Sequence, residues 1–195
     1  GECVLDQFVG SGTTMIETKL LMRKGIGFDI NPLALDLCNR NLDFQRPGVI
    51  FHEPLILKVD ARNMSCLDNN SVDLICTHPP YANIIKYSEN IEGDLSLLTR
   101  DTFISEMNKV AQESYRVLKN NKFCAILIGD SREKGHMQHI GFDILRVYEN
   151  SGFKLKELII KQQHNCQATG FWKANSVKYN FLLIAHEYLL VFIKV

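Results

Sequence analysis

A chain of 195 residues, 46% of them hydrophobic, is long enough for one domain around a well-buried core. Its 22 basic and 22 acidic side chains cancel to a formal charge of zero, which excludes a global basic field for a long polyanion and leaves only a local basic patch open. The chain reads as carrying no signal peptide and no bilayer-spanning run, and its six cysteines (Cys3, Cys38, Cys66, Cys76, Cys124, Cys166) lack metal-type spacing, so most are expected to be buried free thiols of a reducing cytoplasm.

The chain begins at Gly1, without Met, directly on a strand that ends near Asp6. A glycine turn, Phe8-Val9-Gly10-Ser11-Gly12, leads into a helix expected over 13–23, with Met15, Ile16, Leu20 and Leu21 on one face and Gly25 as its stop. A second strand over 26–30 precedes Asn31-Pro32, an N-cap followed by proline at the first helical position, and a helix over 33–44. Strands are expected over 55–60, 72–76 and 123–128, with helices over 102–118 and 140–150. Two final strands, 153–160 and 179–192, are joined by what reads as a loop alone, so they should pair antiparallel. Strands alternating with helices predict an α/β fold, a mostly parallel sheet with helices on both faces and one antiparallel strand at the end.

In such a sheet ligands bind outside the carboxyl ends of the strands. Asp6, Asp29, Asp60 and His78 each close an expected strand, so they should line one rim although far apart in sequence. Gly10 and Gly12 permit a tight turn and close backbone approach, but Thr13-Thr14 is not followed by the third glycine that a dinucleotide fingerprint wants, and no phosphate-binding lysine follows. The pattern suits a ligand without phosphate. Asp29 can accept hydrogen bonds from ribose hydroxyls and Asp60 from an adenine amino group, so an adenosine carrying an amino acid would fit. Singly, each acid also reads as an ordinary turn or helix-start residue; their ordered coincidence favours the site.

After the fourth strand comes Thr77-His78-Pro79-Pro80-Tyr81. The two prolines fix backbone torsions and push His78 toward an extended conformation, which aims the local carbonyls in advance. Tyr81 offers a flat face on which a planar base can stack. An exocyclic amino group is a poor nucleophile because its lone pair is delocalised into the ring. Two fixed acceptors on its N–H bonds, the Pro79 carbonyl and the His78 side chain, would free that lone pair for direct attack, with no cysteine needed as nucleophile.

These elements resemble the amino-methyltransferases of DNA, the N6-adenine and N4-cytosine enzymes of bacterial restriction-modification systems. Asp6 to Thr14 is similar to their Asp-Pro-Phe-x-Gly-Ser-Gly-Thr-Thr element, with Gln7 in place of proline. Gly27-Phe28-Asp29-Ile30-Asn31-Pro32 is similar to their ribose-binding strand end, Asp60-Ala61-Arg62 to the next, and His186-Glu187-Tyr188-Leu189-Leu190-Val191-Phe192 to a late strand. His78-Pro79-Pro80-Tyr81 is similar to their catalytic loop, except that His78 replaces Asp, Asn or Ser. The resemblance implies a Rossmann-like seven-stranded methyltransferase sheet with its last strand inserted antiparallel, and S-adenosylmethionine as cofactor. It implies cofactor contacts from Asp6, Phe8, Gly10, Ser11, Gly12, Thr13, Asp29, Ile30, Asp60 and Ala61, and a catalytic group of His78, Pro79, Pro80 and Tyr81.

Residues 1–195 then form a single catalytic domain without a separate target-recognition domain, short of an upstream segment that would pack beside the cofactor. The substrate implied is an exocyclic amino group of a flipped DNA base, adenine N6 or cytosine N4. Segment 82–98, from Ala82 to Leu98, carries Lys86, Tyr87, Glu89 and Glu92; segment 161–178, from Lys161 to Lys178, carries His164, Phe171, Trp172 and Lys173. Both are candidates for DNA contact, and the second also reads as a hairpin connection with its Trp tucked on the sheet. The alternatives are an RNA methyltransferase of the tRNA guanine-N2 type and a catalytically impaired cofactor- or nucleic-acid-binding subunit. Oligomeric state is not legible.

Overall fold

The computed structural model describes residues 1–81, 91–133, 135–163 and 169–195. The elements run β1 (Cys3–Asp6), α1 (Thr13–Leu20), β2 (Lys24–Asp29), α2 (Pro32–Leu42), β3 (Leu55–Lys58), β4 (Val72–Thr77) and α3 (Arg100–Val117). Then come β5 (Leu118–Ile128), a hairpin of β6 (Ser131–Glu133) and β7 (His136–Gln138), α4 (Ile140–Asn150), β8 (Phe153–Gln162), α5 (Thr169–Tyr179) and β9 (His186–Lys194).

Seven strands form one sheet in the order β3-β2-β1-β4-β5-β9-β8. The pairs from β3 to β5 are parallel; β9 is antiparallel to both β5 and β8. The last strand is thus inserted in reverse between two earlier ones, as the resemblance implied. α1 and α2 cover one face over Val9, Met15, Cys38 and Leu42. The larger core includes Leu5, Phe28, Ile75, Phe103, Ile126 and Phe192, packed with α3 and α4. Among the described residues no helix is long and apolar enough to cross a membrane.

Helix α1 corrects two expectations. It ends at Leu20 without a glycine, because Met22 takes the left-handed conformation (φ 57°) and closes a Schellman motif, with the Met22 amide donating to Lys19 O and the Arg23 amide to Thr18 O. Gly25 does not stop the helix but lies in β2, where a Cβ would stand 2.4 Å from Thr18 Oγ1; glycine lets α1 sit close on the sheet. That close approach buries Met15, Thr18 and Lys19 and turns Leu20 and Leu21 outward, 48% and 66% exposed. The lysine is satisfied by Leu42 O (2.8 Å), by Glu53 (2.8 Å) and by the Phe44 ring, 4.5 Å from its nitrogen.

β5 starts five residues earlier than Phe123, at Leu118, because Leu118 already pairs with Val72; the polar stretch Lys119-Asn120-Asn121-Lys122 bulges out at the register shift before Phe123 pairs with Leu74. The connection from β8 to β9 is not a loop alone: α5 occupies 169–179. Its described side chains are almost all exposed, so no apolar stripe announces it. The cysteine expectation also needs correction: of the five described, only Cys38 and Cys124 are buried, and Cys66 is exposed. Cys166 lies outside the described residues.

Phe192 in β9 is fully buried and stacks on Tyr148 of α4 at 5.2 Å and 20°. Phe192→Ala should lower the unfolding free energy by about 3–5 kcal/mol in urea titration.

Candidate active site

Parallel register brings the carboxyl ends of β1, β2 and β3 level: Asp6 pairs with Gly27 and Asp29 with Lys58. With the end of β4 they rim a cavity of about 340 Å³, within the range of small-ligand sites. Of the expected cofactor residues, Asp6, Phe8, Gly10, Ser11 and Thr13 line it, as do Asp29, Ile30, Asp60 and Ala61. His78, Pro79 and Pro80 line the same cavity, so the glycine turn and the proline loop face one space.

Gly12 and Tyr81 do not line it. Gly12 is the left-handed N-cap of α1 (φ 88°), and a Cβ there would stand 2.6 Å from Cys38 Sγ. It shapes the turn instead of touching the space. Burial and the charges of Asp6 and Asp29 push the Cys38 thiol up to about 11, which leaves it protonated and unreactive. Tyr81 is half-buried against the core, with its hydroxyl donating to Glu187 Oε1 at 2.7 Å and lying 3.1 Å from His78 Nε2.

Asp6 is 4% exposed, and its Oδ1 accepts from the Phe8 amide (3.1 Å) and from Thr77 Oγ1 (2.8 Å). Burial raises its carboxyl above the ordinary range, opposed by hydrogen bonds from Thr14, Thr77 and Phe8. Asp29 accepts from the Gly10 amide (3.1 Å) and the Asn31 amide (2.9 Å), and burial raises it as well. The Ile30 amide also donates to this carboxylate, so of its four acceptor positions one remains for a ligand hydroxyl.

Asp60 differs from its expected part. Arg62 donates to Oδ1 from its backbone amide (2.9 Å) and Nε (2.9 Å), and to Oδ2 from Nε (3.1 Å) and a terminal nitrogen (2.6 Å). Burial works against the Asp60 charge, but these contacts outweigh it and hold the carboxyl below the usual range. The same guanidinium reaches Glu106 of α3 (2.5 Å) and Gly93 O (3.3 Å). Asp60 therefore reads first as an anchor for Arg62, and an adenine amino group would share acceptors already in use.

Several lining residues were not foreseen. Gly93, Asp94 and Leu95 form part of the wall, and an acid beside a glycine at the end of a long connection was the available signal. Gln7, at the position of the family's proline, is 1% exposed and donates to Ser114 Oγ of α3 at 2.9 Å. Glu187 was visible only as part of a strand pattern. The cavity wall carries Asp6, Asp29, Asp60 and Asp94 and, among the described residues, no lysine or arginine. Such a wall suits a ligand bearing positive charge and no phosphate.

The family model described as DNA methylase matches residues 1–40 and 72–195. The type II methyltransferase M.HpaI of Haemophilus parainfluenzae is 31% identical over 123 residues, covering 60% of this chain and 35% of that protein. The chain thus spans about a third of the length of the curated relative it matches. A SAM-dependent methyltransferase from Methanosarcina mazei superposes with a TM-score of 0.67 at 14% identity, over 100% of this chain and 92% of the other. TrmN from Thermus thermophilus gives 0.67 at 17% identity, over 100% and 44%. A protein described as a candidate DNA modification methylase, also from Thermus thermophilus and in complex with S-adenosyl-L-methionine, gives 0.51 at 23% identity, over 69% and 53%. The structural likenesses are likenesses of fold; family and fold together support S-adenosylmethionine as the cofactor. The family match covers both the glycine turn and the Pro-Pro-Tyr loop, and the chain belongs to the DNA methylase family.

Proposed function

We propose that the chain transfers a methyl group from S-adenosylmethionine to an exocyclic amino group of a DNA base, adenine N6 or cytosine N4. The observation that carries this is one acidic cavity shared by the glycine turn and the His78-Pro79-Pro80 loop. When bound, the cofactor supplies a methyl carbon whose bond to sulfur breaks with both electrons passing to sulfur. Its sulfonium and ammonium charges match a wall of carboxylates. Asp29 is the acceptor for a ribose hydroxyl, Asp6 supplies buried negative charge, and Phe8, Ile30 and Ala61 supply apolar surface. Gly10, Ser11 and Thr13 bring backbone close.

The Pro79 carbonyl and the His78 imidazole are the acceptors for the target amine. An acceptor imidazole must be neutral. Partial burial lowers the basicity of His78, against the attraction of Glu187 and with the help of Lys161, so the neutral form prevails at pH 7. Tyr81 is the platform for the flipped base.

Helix α5 is the favoured DNA-facing element within segment 161–178. Phe171 and Trp172 are 65% and 49% exposed, and Lys173 and Lys178 follow them in the same helix. Lys161 is engaged with Glu187 and drops out of that role. His164 and most of segment 82–98, residues 82–90, lie outside the described residues; within the remainder, Gly93, Asp94 and Leu95 belong to the cavity wall.

Incubating the protein with labelled S-adenosylmethionine and separate pools of DNA and tRNA should label DNA, and nucleoside mass analysis should return N6-methyladenine or N4-methylcytosine. Label confined to tRNA would replace DNA by RNA, and cofactor binding without transfer would favour the impaired subunit. Replacing Lys173 and Lys178 together by Glu should weaken DNA binding and flatten its salt slope by about 2, at roughly 0.9 per lost phosphate contact.

Asp6→Asn keeps the Oδ1 acceptor and removes the charge. It should weaken cofactor binding by about tenfold or more in calorimetry, the order of a lost charge-assisted contact. Because the folded carboxyl is raised, its charge costs stability above the ordinary Asp range and nothing below it. The ligand-free variant should therefore melt higher than the wild type at pH 7, with the gap closing as pH falls into the ordinary carboxyl range.

A further inference from the structure

The loop's unusual histidine is wired to two residues behind it. Tyr81 Oη lies 2.7 Å from Glu187 Oε1 and 3.1 Å from His78 Nε2. The two rings meet edge-on, with centroids 5.5 Å apart and planes at 89°. Glu187, 6% exposed in β9, also accepts from Lys161 Nζ of β8 at 2.7 Å. Gly129, just past β5, leaves the space this group needs: a Cβ there would stand 3.1 Å from Tyr81 Oη and 3.3 Å from Glu187 Cγ.

A phenol has one proton to give. The carboxylate is the stronger acceptor and the closer one, so the proton of Tyr81 goes to Glu187. Its oxygen must then accept from His78, which requires hydrogen on Nε2. In the neutral ring Nδ1 is left as the lone-pair nitrogen, and no described residue is bonded to it. His78 itself lines the cavity.

We propose that His78 is the base that takes the proton shed by the target amine at Nδ1, and that Tyr81 and Glu187 are positioning residues that hold it in the Nε2–H tautomer. The inference rests on the amino-methylation reading above. The amine's lone pair forms the new N–C bond, and the nitrogen thereby becomes cationic. One N–H bond breaks, its electron pair stays on nitrogen, and the proton passes to Nδ1. The imidazolium so formed is stabilised through Tyr81 by the buried Glu187 carboxylate, whose Oε1 lies 3.9 Å from Nε2, and then releases the proton to water. An Asp, Asn or Ser at this position can accept a hydrogen bond; a neutral imidazole also has the basicity to keep the proton near neutral pH.

The charged groups facing His78 are Glu187 from β9, which favours the imidazolium, and Lys161 from β8, which disfavours it. A second His–Tyr–acid chain, His186–Tyr188–Asp130, lies at 3.1 and 3.0 Å but does not line the cavity, and serves as an internal control.

Nitrogen-15 NMR of histidine-labelled, ligand-free protein reads tautomer and titration directly. His78 should show the Nε2–H form, Tyr81→Phe should abolish that preference, and Glu187→Gln should move the His78 titration to lower pH; His186→Gln should alter none of these. Single-turnover methylation with saturating substrate should fall about tenfold per pH unit below the His78 titration, and the Glu187→Gln limb should shift with it. His78→Asn, which keeps an acceptor but no base, should lose the limb and about 100-fold in rate. An Nδ1–H tautomer, or transfer that stays flat through the His78 titration read by NMR, would overturn the base assignment while leaving amino-methylation intact. The expected tautomer with no transfer to any DNA base at any pH would overturn amino-methylation, and the role of base with it.

Discussion

One oxygen of Asp6 holds the two halves of the site together. It accepts from the Phe8 amide in the glycine turn and from the Thr77 hydroxyl that ends β4, just before His78. β1 and β4 are neighbours in the sheet, so a buried carboxylate at one strand end can reach both loops. Neutralising that carboxylate would ease its burial, and separating the loops would strand it without donors. The cavity geometry follows from this bond and from the level register of β1, β2 and β3. The unrelieved charge of the ligand-free form is the cost of a wall suited to a cation.

Much of this was legible in the residues. Strand ends marked by acids fall on one rim because parallel register aligns them, and a turn chemistry as specific as Asn31-Pro32 located the start of α2, where the Asn31 side chain accepts from the Leu33 amide. Helix α4 spans 140–150 as its apolar spacing predicts, since its buried face (Ile140, Ile144, Val147, Tyr148) follows helical periodicity. Local signals failed where tertiary packing overrode them. Leu20 and Leu21 look like core and Lys19 like surface; the close seat of α1 on Gly25 reverses that. Residues 119–122 look like a loop because they bulge out of the ladder at a register shift, which hides the strand start at Leu118. Helix α5 buries no apolar face, and without one the 3.6-residue period has nothing to mark.

The site shows the same division. Which residues face the cavity followed from their places at strand ends. What those residues are bonded to did not, because most partners come from elsewhere in the chain: Gln7 engages Ser114, Tyr81 engages Glu187 more than a hundred positions away, and Arg62, which saturates its near neighbour Asp60, crosses to Glu106. Of the two departures from the family's motifs, Gln7 is met by such a distant polar partner, and His78 by Tyr81 three positions on, which in turn engages Glu187. The buried Gln7 amide is thereby paired, while the partly exposed His78 ring is held at Nε2.

The place of β9 also governs how the chain can acquire its fold during synthesis. β9 follows every other strand of the sheet in sequence yet sits inside it, between β5 and β8. Until it leaves the ribosome, β5 shows an open edge and β8 has no sheet partner at all. The nascent chain therefore presents unpaired backbone to its surroundings for the whole translation of β6 through α5, and docking of β9 closes both gaps in one event. Chaperone demand and vulnerability to proteolysis should concentrate in that interval, with completion set by long-range antiparallel pairing instead of by helix formation.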